Sequence, residues 1–464
     1  MPINRWAIVG RPAGLAAGMA ALLCTARVGL TAEVKTKPAV GQISAIKTNL
    51  SPPLQRPTRS PAAMNALASF RVKPGFRVEV VAEAPMVCAP AAMAFDENGR
   101  LFVAEMRDYP NRRAQSPHLG RIRLLEDSAG EGVFDSSTIY ADDLAWPSAI
   151  ACYEGGVFVA ATPEILYLKD SKGNGNADLR KMTFSGFGGT NALSVDSLVN
   201  SFNWGLDHRI HGGAAGLGDS QFLPGNDFSF DPRTLNLFAE LGGAQSGLSF
   251  DSRGRKFVTS FEHPLRWQMY PFRYADRNPF FPRPPAFIDA VSPATRIFRF
   301  GSNAPGVAAT NALSPAWLTS ARGSVVYRGT AFPSNYFENV FMADPSAHVI
   351  HRVLLRDNGL EAAGARASDE GGTEFLVSSD PSFHPMQIVN GPDGAIYVAD
   401  MRDGNDSGRI FRIAPEKFQR TKIPQLGKAK MYDLVAALAL TNSIWSRPES
   451  RLPAPTGGSR CGRH

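Results

Sequence analysis

The chain has 464 residues, of which 20% are charged and 10% aromatic, with 43 Gly and 35 Pro. So many turn formers beside so few charges suit an all-β protein rather than a helical or disordered one. The net charge of +7 is modest for this length, and no dense basic run with interleaved aromatics occurs, so no nucleic-acid partner is expected.

At the N-terminus, Arg5 and Arg11 precede an apolar stretch from Gly14 to Leu23 and small residues up to Ala32. This is the pattern of an export signal over residues 1–32, and Cys24 falls within it. Its apolar core is too short to span a bilayer, and no later segment is long and apolar enough to do so. The expectation is an exported protein, periplasmic or extracellular, with no stable membrane span. Residues 33–69, rich in Pro, Ser, Thr and Lys and without an apolar period, read as a linker.

From there to residue 418 one pattern recurs six times: an apolar run, a polar turn with Gly, and a second apolar run. The clearest copies are AMAFDENGRLFVAEM from Ala92, GLSFDSRGRKFVTSF from Gly247 and QIVNGPDGAIYVADM from Gln387, with weaker ones at Ser148, Phe202 and Ser324. Hairpins in such a series define an all-β fold, a six-bladed β-propeller over residues 70–418. The sixth blade lacks a fourth strand, while GFRVEVVAEAP from Gly75 is a strand without a blade. Val78 to Ala82 should therefore close the ring as the outer strand of blade six, which removes an exposed edge.

Residues 419–446 read as a basic linker followed by a short helical remnant, MYDLVAALAL from Met431. Residues 447–464 form a polar tail expected to be disordered, and this ending reads as the cut or frame-shifted end of a longer protein. Beyond the signal only Cys88, Cys152 and Cys461 remain. Cys88 and Cys152 could pair across neighbouring blades or stay as buried thiols. No C-x-x-C-H occurs, so the chain carries no haem of its own.

The segments AFDENGRLFVAEMRDYPNR, GRIRLLEDSAGEGVFD, CYEGGVFVAATPEILYLKD, FSFDPRT and NGPDGAIYVADM together resemble the membrane-bound dehydrogenase family of planctomycetes and verrucomicrobia. The resemblance covers about Phe70 to Phe418. That family is similar to the soluble quinoprotein sugar dehydrogenases, six-bladed propellers that bind pyrroloquinoline quinone and calcium. Many of its members continue into helical repeats and a cytochrome c domain. The resemblance thus implies an exported quinoprotein-like oxidoreductase acting on sugars or related alcohols, with a separate cytochrome c as possible acceptor. Two positions depart from the pattern. Where the sugar dehydrogenases carry a catalytic His, LVNSFNWGLDHRIHG offers Asn200 or Asn203, and His384 with Pro385 stands where relatives often have Arg-Pro.

Lettering the strands of each blade a to d from the axis outward, the b–c and d–a loops gather on one face and the a–b and c–d loops on the other. Quinone-dependent oxidation needs a base for the alcohol proton, cations for the cofactor's carboxylates, and oxygen ligands where calcium assists. On the b–c face the candidates are His211, His263 and His348 as bases, and Arg107, Arg266 and Arg402 as anion clamps. Asn203 and Trp204 are further cofactor contacts, and Glu105, Asp344 and Asp400 are cation ligands. Asp108, Trp146, Glu262 and His384 are placed on the same face. Trp146, Trp204 and Trp267 could stack on a sugar ring or pack between blades.

The other face carries DSAGEGVFD at Asp127 and DSKGNGNAD at Asp170, eroded copies of a calcium loop with Ala129 and Lys172 at ligand positions. In the first copy Asp127, Glu131 and Asp135 remain as candidate ligands. Two other readings stay open: a non-catalytic propeller that binds glycans or partner proteins, and a calcium-dependent hydrolase or lactonase.

Overall fold

The computed structural model describes residues 60–437 apart from 111–116, 188–197, 215–224, 302–311, 403–406, 421–422 and positions 276, 279, 281, 283 and 360. The export signal, most of the linker and the C-terminal tail lie outside these residues, as does Cys461.

Six antiparallel sheets form the blades. Strands a to d are Pro90–Phe95, Leu101–Glu105, Gly120–Glu126 and Ser136–Leu144 in blade one. In blade two they are Ala149–Tyr153, Gly156–Ala161, Glu164–Lys169 and Leu179–Ser185. Blade three has Asn200–Trp204, Ile210–Gly213, Asn226–Phe230 and Leu237–Leu241, and blade four Gly247–Phe250, Lys256–Thr259, Leu265–Gln268 and Phe287–Val291. Blade five has Arg322–Val326, Val340–Asp344, Val349–Asn358 and Leu376–Ser378, and blade six Pro385–Asn390, Ile396–Asp400, Arg409–Pro415 and Phe76–Glu83. The six a strands neighbour one another in a closed cycle, which makes the sheets a six-bladed propeller.

The burial pattern follows from this stacking. Inner strands such as Leu101–Glu105 and Gly156–Ala161 are buried on both faces, because each blade is covered by its two neighbours. The outermost strand Leu179–Ser185 is mostly exposed. The repeated Asp-x-x-Gly-Arg turn caps itself. Asp96 Oδ1 accepts from the backbone N–H of Asn98 and Arg100 at 2.9 and 2.8 Å, and Arg100 Nε donates to Oδ2 at 2.7 Å. Asp251 does the same for Arg253 and Arg255. Gly99 and Gly254 supply φ of +78° and +82° in these turns, a region open to glycine.

The predicted closure is present. Val78 lies opposite Ile413, Val80 opposite Phe411 and Ala82 opposite Ile410. The same N-terminal segment also adds Phe70–Val72 to the outer edge of blade five, opposite Leu376–Ser378. Within the stretch read as linker, Pro61–Ala68 is a helix capped by Ser60, whose Oγ accepts from Ala63 N at 3.0 Å. Its buried face is only Ala63 and Ala66, too small to register as an apolar period. Near the C-terminus, Met431–Ala437 is helical. No helix among the described residues is long and apolar enough to cross a membrane.

All six junctions between a strands, or the residues leading into them, carry a side-chain-to-backbone hydrogen bond. Gln387 Oε1 accepts from Met93 N at 2.6 Å, joining blades six and one, and Cys152 Sγ faces Ala94 O at 3.8 Å between one and two. Ser148 Oγ donates to Val199 O at 2.6 Å and Asn203 Nδ2 to Leu248 O at 3.1 Å, joining blade two to three and three to four. Ser249 Oγ accepts from Val326 N at 2.9 Å, and Asn390 accepts from Arg328 N at 3.1 Å, completing the circle. Cys88 and Cys152 are both buried and not joined in a disulfide, so the pairing weighed from sequence is not made.

Candidate functional site

The b–c face is built on strand ends. Glu105, Asp344 and Asp400 each close a b strand and are fully buried. Glu105 accepts from Cys88 N at 2.8 Å and from the Arg121 guanidinium. Asp344 accepts from the backbone N–H of Thr319, Ser320 and Ala347 at 3.1, 3.2 and 3.0 Å. Asp400 accepts from His384 N at 2.8 Å and Arg402 N at 3.3 Å. Each carboxylate therefore ties the incoming d–a connection to its own blade. They belong to blades one, five and six and do not converge. Among the described residues no group of three or more His, Cys, Asp or Glu side chains is placed to hold a metal ion. These residues do not fit the calcium role expected of them.

The expected anion clamp is likewise dispersed. Arg402 donates to Asp380 Oδ2 at 3.1 Å and to Ser382 Oγ, holding the d–a loop that enters blade six. Arg266 lies in strand c of blade four with its guanidinium 4.8 Å from the Phe287 ring, and burial lowers its pKa. Arg107 sits in the b–c loop of blade one. Three cations in three blades do not form a cradle for a tricarboxylate quinone.

Strand direction corrects three placements. An a strand runs from the d–a loop toward the a–b loop, so Asn203 and Trp204, its last residues in blade three, emerge at the opposite end of the channel. His211, second in strand b, lies near the same end, with Nε2 3.1 Å from Asp207 Oδ1 in the a–b loop. Trp146 is buried beside Met106, Leu198 and Met401, an apolar cluster on the b–c side of the channel, and Trp267 is buried too.

His263 and His348 are on the b–c face. His263 is drawn to the outer strand, Nδ1 2.8 Å from Asp289 Oδ1. His348 is brought beside His384, with ring centroids 5.7 Å apart and planes at 86°. His348 Nδ1 faces Phe383 O at 2.8 Å, and His384 Nδ1 faces Ser382 O at 3.2 Å. A carbonyl only accepts, so in both rings Nδ1 carries the proton, and the neutral imidazole keeps a basic lone pair on Nε2. Both side chains are half-buried. Beneath them, burial pushes the Asp400 carboxyl up to about 7, against the lowering effect of His384 N–H and Arg402. From sequence, His384 is placed on this face and at a position where relatives often have an arginine, but it is not among the candidate bases. Its position just before a strand-initiating Pro, in a d–a loop, was the available signal.

The loops on the other face are self-satisfied. Asp127 accepts from Glu131 N and Gly132 N at 2.9 and 2.8 Å and from Arg420, while Asp135 accepts from Ser128 N and Ala129 N. Asp170 accepts from Lys172, Gly173 and Gly175 N at 3.0, 2.7 and 2.7 Å, and Lys172 Nζ is 3.7 Å from Asp178. The carboxylates that would wrap calcium are spent on their own turns, with Arg420 and Lys172 supplying the positive charge.

The sequence profile of DUF7133, a domain of unknown function, matches residues 62–404, and the chain belongs to that family. No curated protein sequence matches. Among solved structures, the chain is similar to the pyranose dehydrogenase PQQ domain of Coprinopsis cinerea at 12% identity and a TM-score of 0.45, covering 74% of this chain and 97% of that one. It is similar to the Trichoderma reesei protein of Carbohydrate-Active Enzymes Family AA12 at 12% identity and a TM-score of 0.45, covering 75% and 97%. A Thermus thermophilus oxidoreductase, described as a glucose dehydrogenase, shares 15% identity at a TM-score of 0.42, covering 73% and 100%.

Proposed function

We propose that this chain is an exported dehydrogenase-type propeller that oxidises a sugar or related alcohol on the b–c face, between blades five and six, and passes the electrons to a separate acceptor. The observation that carries this reading is the His348–His384 pair, two imidazoles whose Nδ1 protons are tied to carbonyls and whose Nε2 lone pairs remain basic. Either Nε2 can take the proton of a substrate hydroxyl. Arg402 positions the loop that bears His384, through Asp380 and Ser382. The hydride passes to a two-electron acceptor from outside the chain, a quinone, and a one-electron carrier such as a cytochrome c reoxidises that quinone.

The test is reduction of an artificial dye over a panel of aldoses and polyols, with and without pyrroloquinoline quinone and calcium. A substrate should be found whose oxidation falls by roughly 10²-fold or more in His348→Ala or His384→Ala, the usual weight of a general base. Sugar binding without dye reduction under any condition would instead support a propeller that only binds glycans. That second reading is favoured by the structural engagement of Glu105, Asp344 and Arg402. The calcium-dependent hydrolase reading has no carboxylate cluster among the described residues to support it.

A further inference from the structure

A general base needs one imidazole, yet the b–c face holds two, and both are oriented alike. His348 and His384 each direct Nδ1 to a main-chain carbonyl, of Phe383 at 2.8 Å and of Ser382 at 3.2 Å. Histidines that ligate a metal almost always donate the other ring N–H to a carbonyl, a carboxylate or water, which fixes the tautomer and raises the basicity of the ligating nitrogen. Neither Nε2 has a hydrogen-bond partner among the described residues, and neither is among the buried polar atoms, so both lone pairs are open to solvent.

The separation of the rings fits a shared ion. Their centroids are 5.7 Å apart with planes at 86°. A zinc–nitrogen distance of about 2.0–2.1 Å puts the ion about 3.2 Å from each centroid, and two centroids 5.7 Å apart then subtend about 125° at it. A small turn of either ring brings this to the tetrahedral angle of about 110°. The rings are also held before any ion arrives. His348 has φ of +57°, uncommon outside glycine, and is fixed from both sides: its carbonyl accepts from Ser378 N at 2.9 Å, and its Nδ1 is tied to Phe383 O. His384 is fixed at its backbone, where N donates to Asp400 Oδ1 at 2.8 Å and the carbonyl accepts from Met401 N at 3.1 Å.

The donor set selects the ion. Imidazole nitrogens suit zinc, copper, nickel and iron, whereas calcium and magnesium take oxygen ligands. The neighbouring positive charge of Arg402 is taken up by Asp380, 3.1 Å away. Among the described residues no third His, Cys, Asp or Glu joins the pair, so the remaining positions fall to water, which makes the site open rather than structural.

We propose that His348 Nε2 and His384 Nε2 together bind one late first-row divalent ion, with zinc as the reference case. The ion occupies the lone pairs that take the proton in the oxidation proposed above, so zinc inhibits that reaction. The site rests on the same tautomers as the oxidation but not on the oxidation itself. The test is equilibrium dialysis of the full chain against zinc, with calcium and magnesium as controls and no substrate or dye present. At least one zinc per chain should be retained at about 100 µM, and His348→Ala or His384→Ala should each weaken retention about tenfold or more. Cobalt(II) in place of zinc should give visible ligand-field bands that both variants lose. His263→Ala, which removes a histidine held by Asp289 instead, should change neither readout. Where His348→Ala does not fold, His348→Asn, which tolerates the same backbone and lacks a basic nitrogen, carries the test. The proposal is overturned if no zinc is retained, if retention survives both variants, or if calcium is held equally well. Those outcomes leave the oxidation standing, and a chain that retains zinc but oxidises nothing refutes the oxidation alone.

Discussion

Asp400 Oδ2 is buried and has no hydrogen-bond partner, although the other oxygen accepts two backbone N–H groups. Burial raises its pKa from an ordinary 3.8 to about 7, the N–H of His384 and the charge of Arg402 offsetting only part of the cost. The folded chain therefore holds a proton there that the unfolded chain has released. Stability from this group is fully present below an ordinary carboxyl pKa and is lost as pH rises through about 7. Asp400→Asn keeps an acceptor and removes the ionisation. Calorimetry should show the variant's melting temperature gaining on that of the wild type as pH rises from about 4 to about 8. A difference, variant minus wild type, that stays constant or falls over that interval would refute the assignment.

Between strands, the same few groups decide how each element enters its blade. Asp344 gathers the N–H groups of Thr319, Ser320 and Ala347, so one side chain satisfies the connection into blade five and the turn leaving strand b. Asp344→Ala orphans these donors in a buried setting and should cost roughly 2–4 kcal/mol, read from urea unfolding of the full chain. Such ties were only half legible. That AEMRD, ADPSAH and ADMRD put a carboxylate just past an apolar strand is plain from the sequence. That those carboxylates turn to loop N–H groups and not to a shared cation depends on Cys88, Thr319 and His384, residues 16 to 25 positions away with no pattern linking them.

The whole ring depends on its closing strand. Phe76–Glu83 covers the edge of Arg409–Pro415, and Phe70–Val72 completes the edge of blade five, so one segment laps both blades. The apolar cluster between them includes Phe76, Val80, Phe411 and Ile413. A chain lacking residues up to Ala84 should lose about 10 °C or more of melting temperature, or aggregate through the bared strand of blade six. A soluble deletion with an unchanged transition would show that closure contributes nothing. The ring also has two unlike ends. One presents His348 and His384, the other His211 with Asp207, and the two are separated by the stapled a strands.

The sequence by itself determined the blades, their number and the strand that joins them. Alternating apolar runs and Asp-x-x-Gly-Arg turns are local signals, and consecutive hairpins leave little freedom in how strands pair. Only the tertiary structure decided which polar residues meet. Asn203 and His211 sit in strands that were read correctly, yet strand direction carries them to the face opposite the one expected. Glu105, Asp344 and Asp400 reach the expected face and are consumed by loops that arrive from outside their own hairpins. His384 gains its importance from His348, which lies in another blade. Hydrogen bonds are short-ranged and directional, so the identity of each partner is settled by packing between blades, where sequence spacing carries no signal.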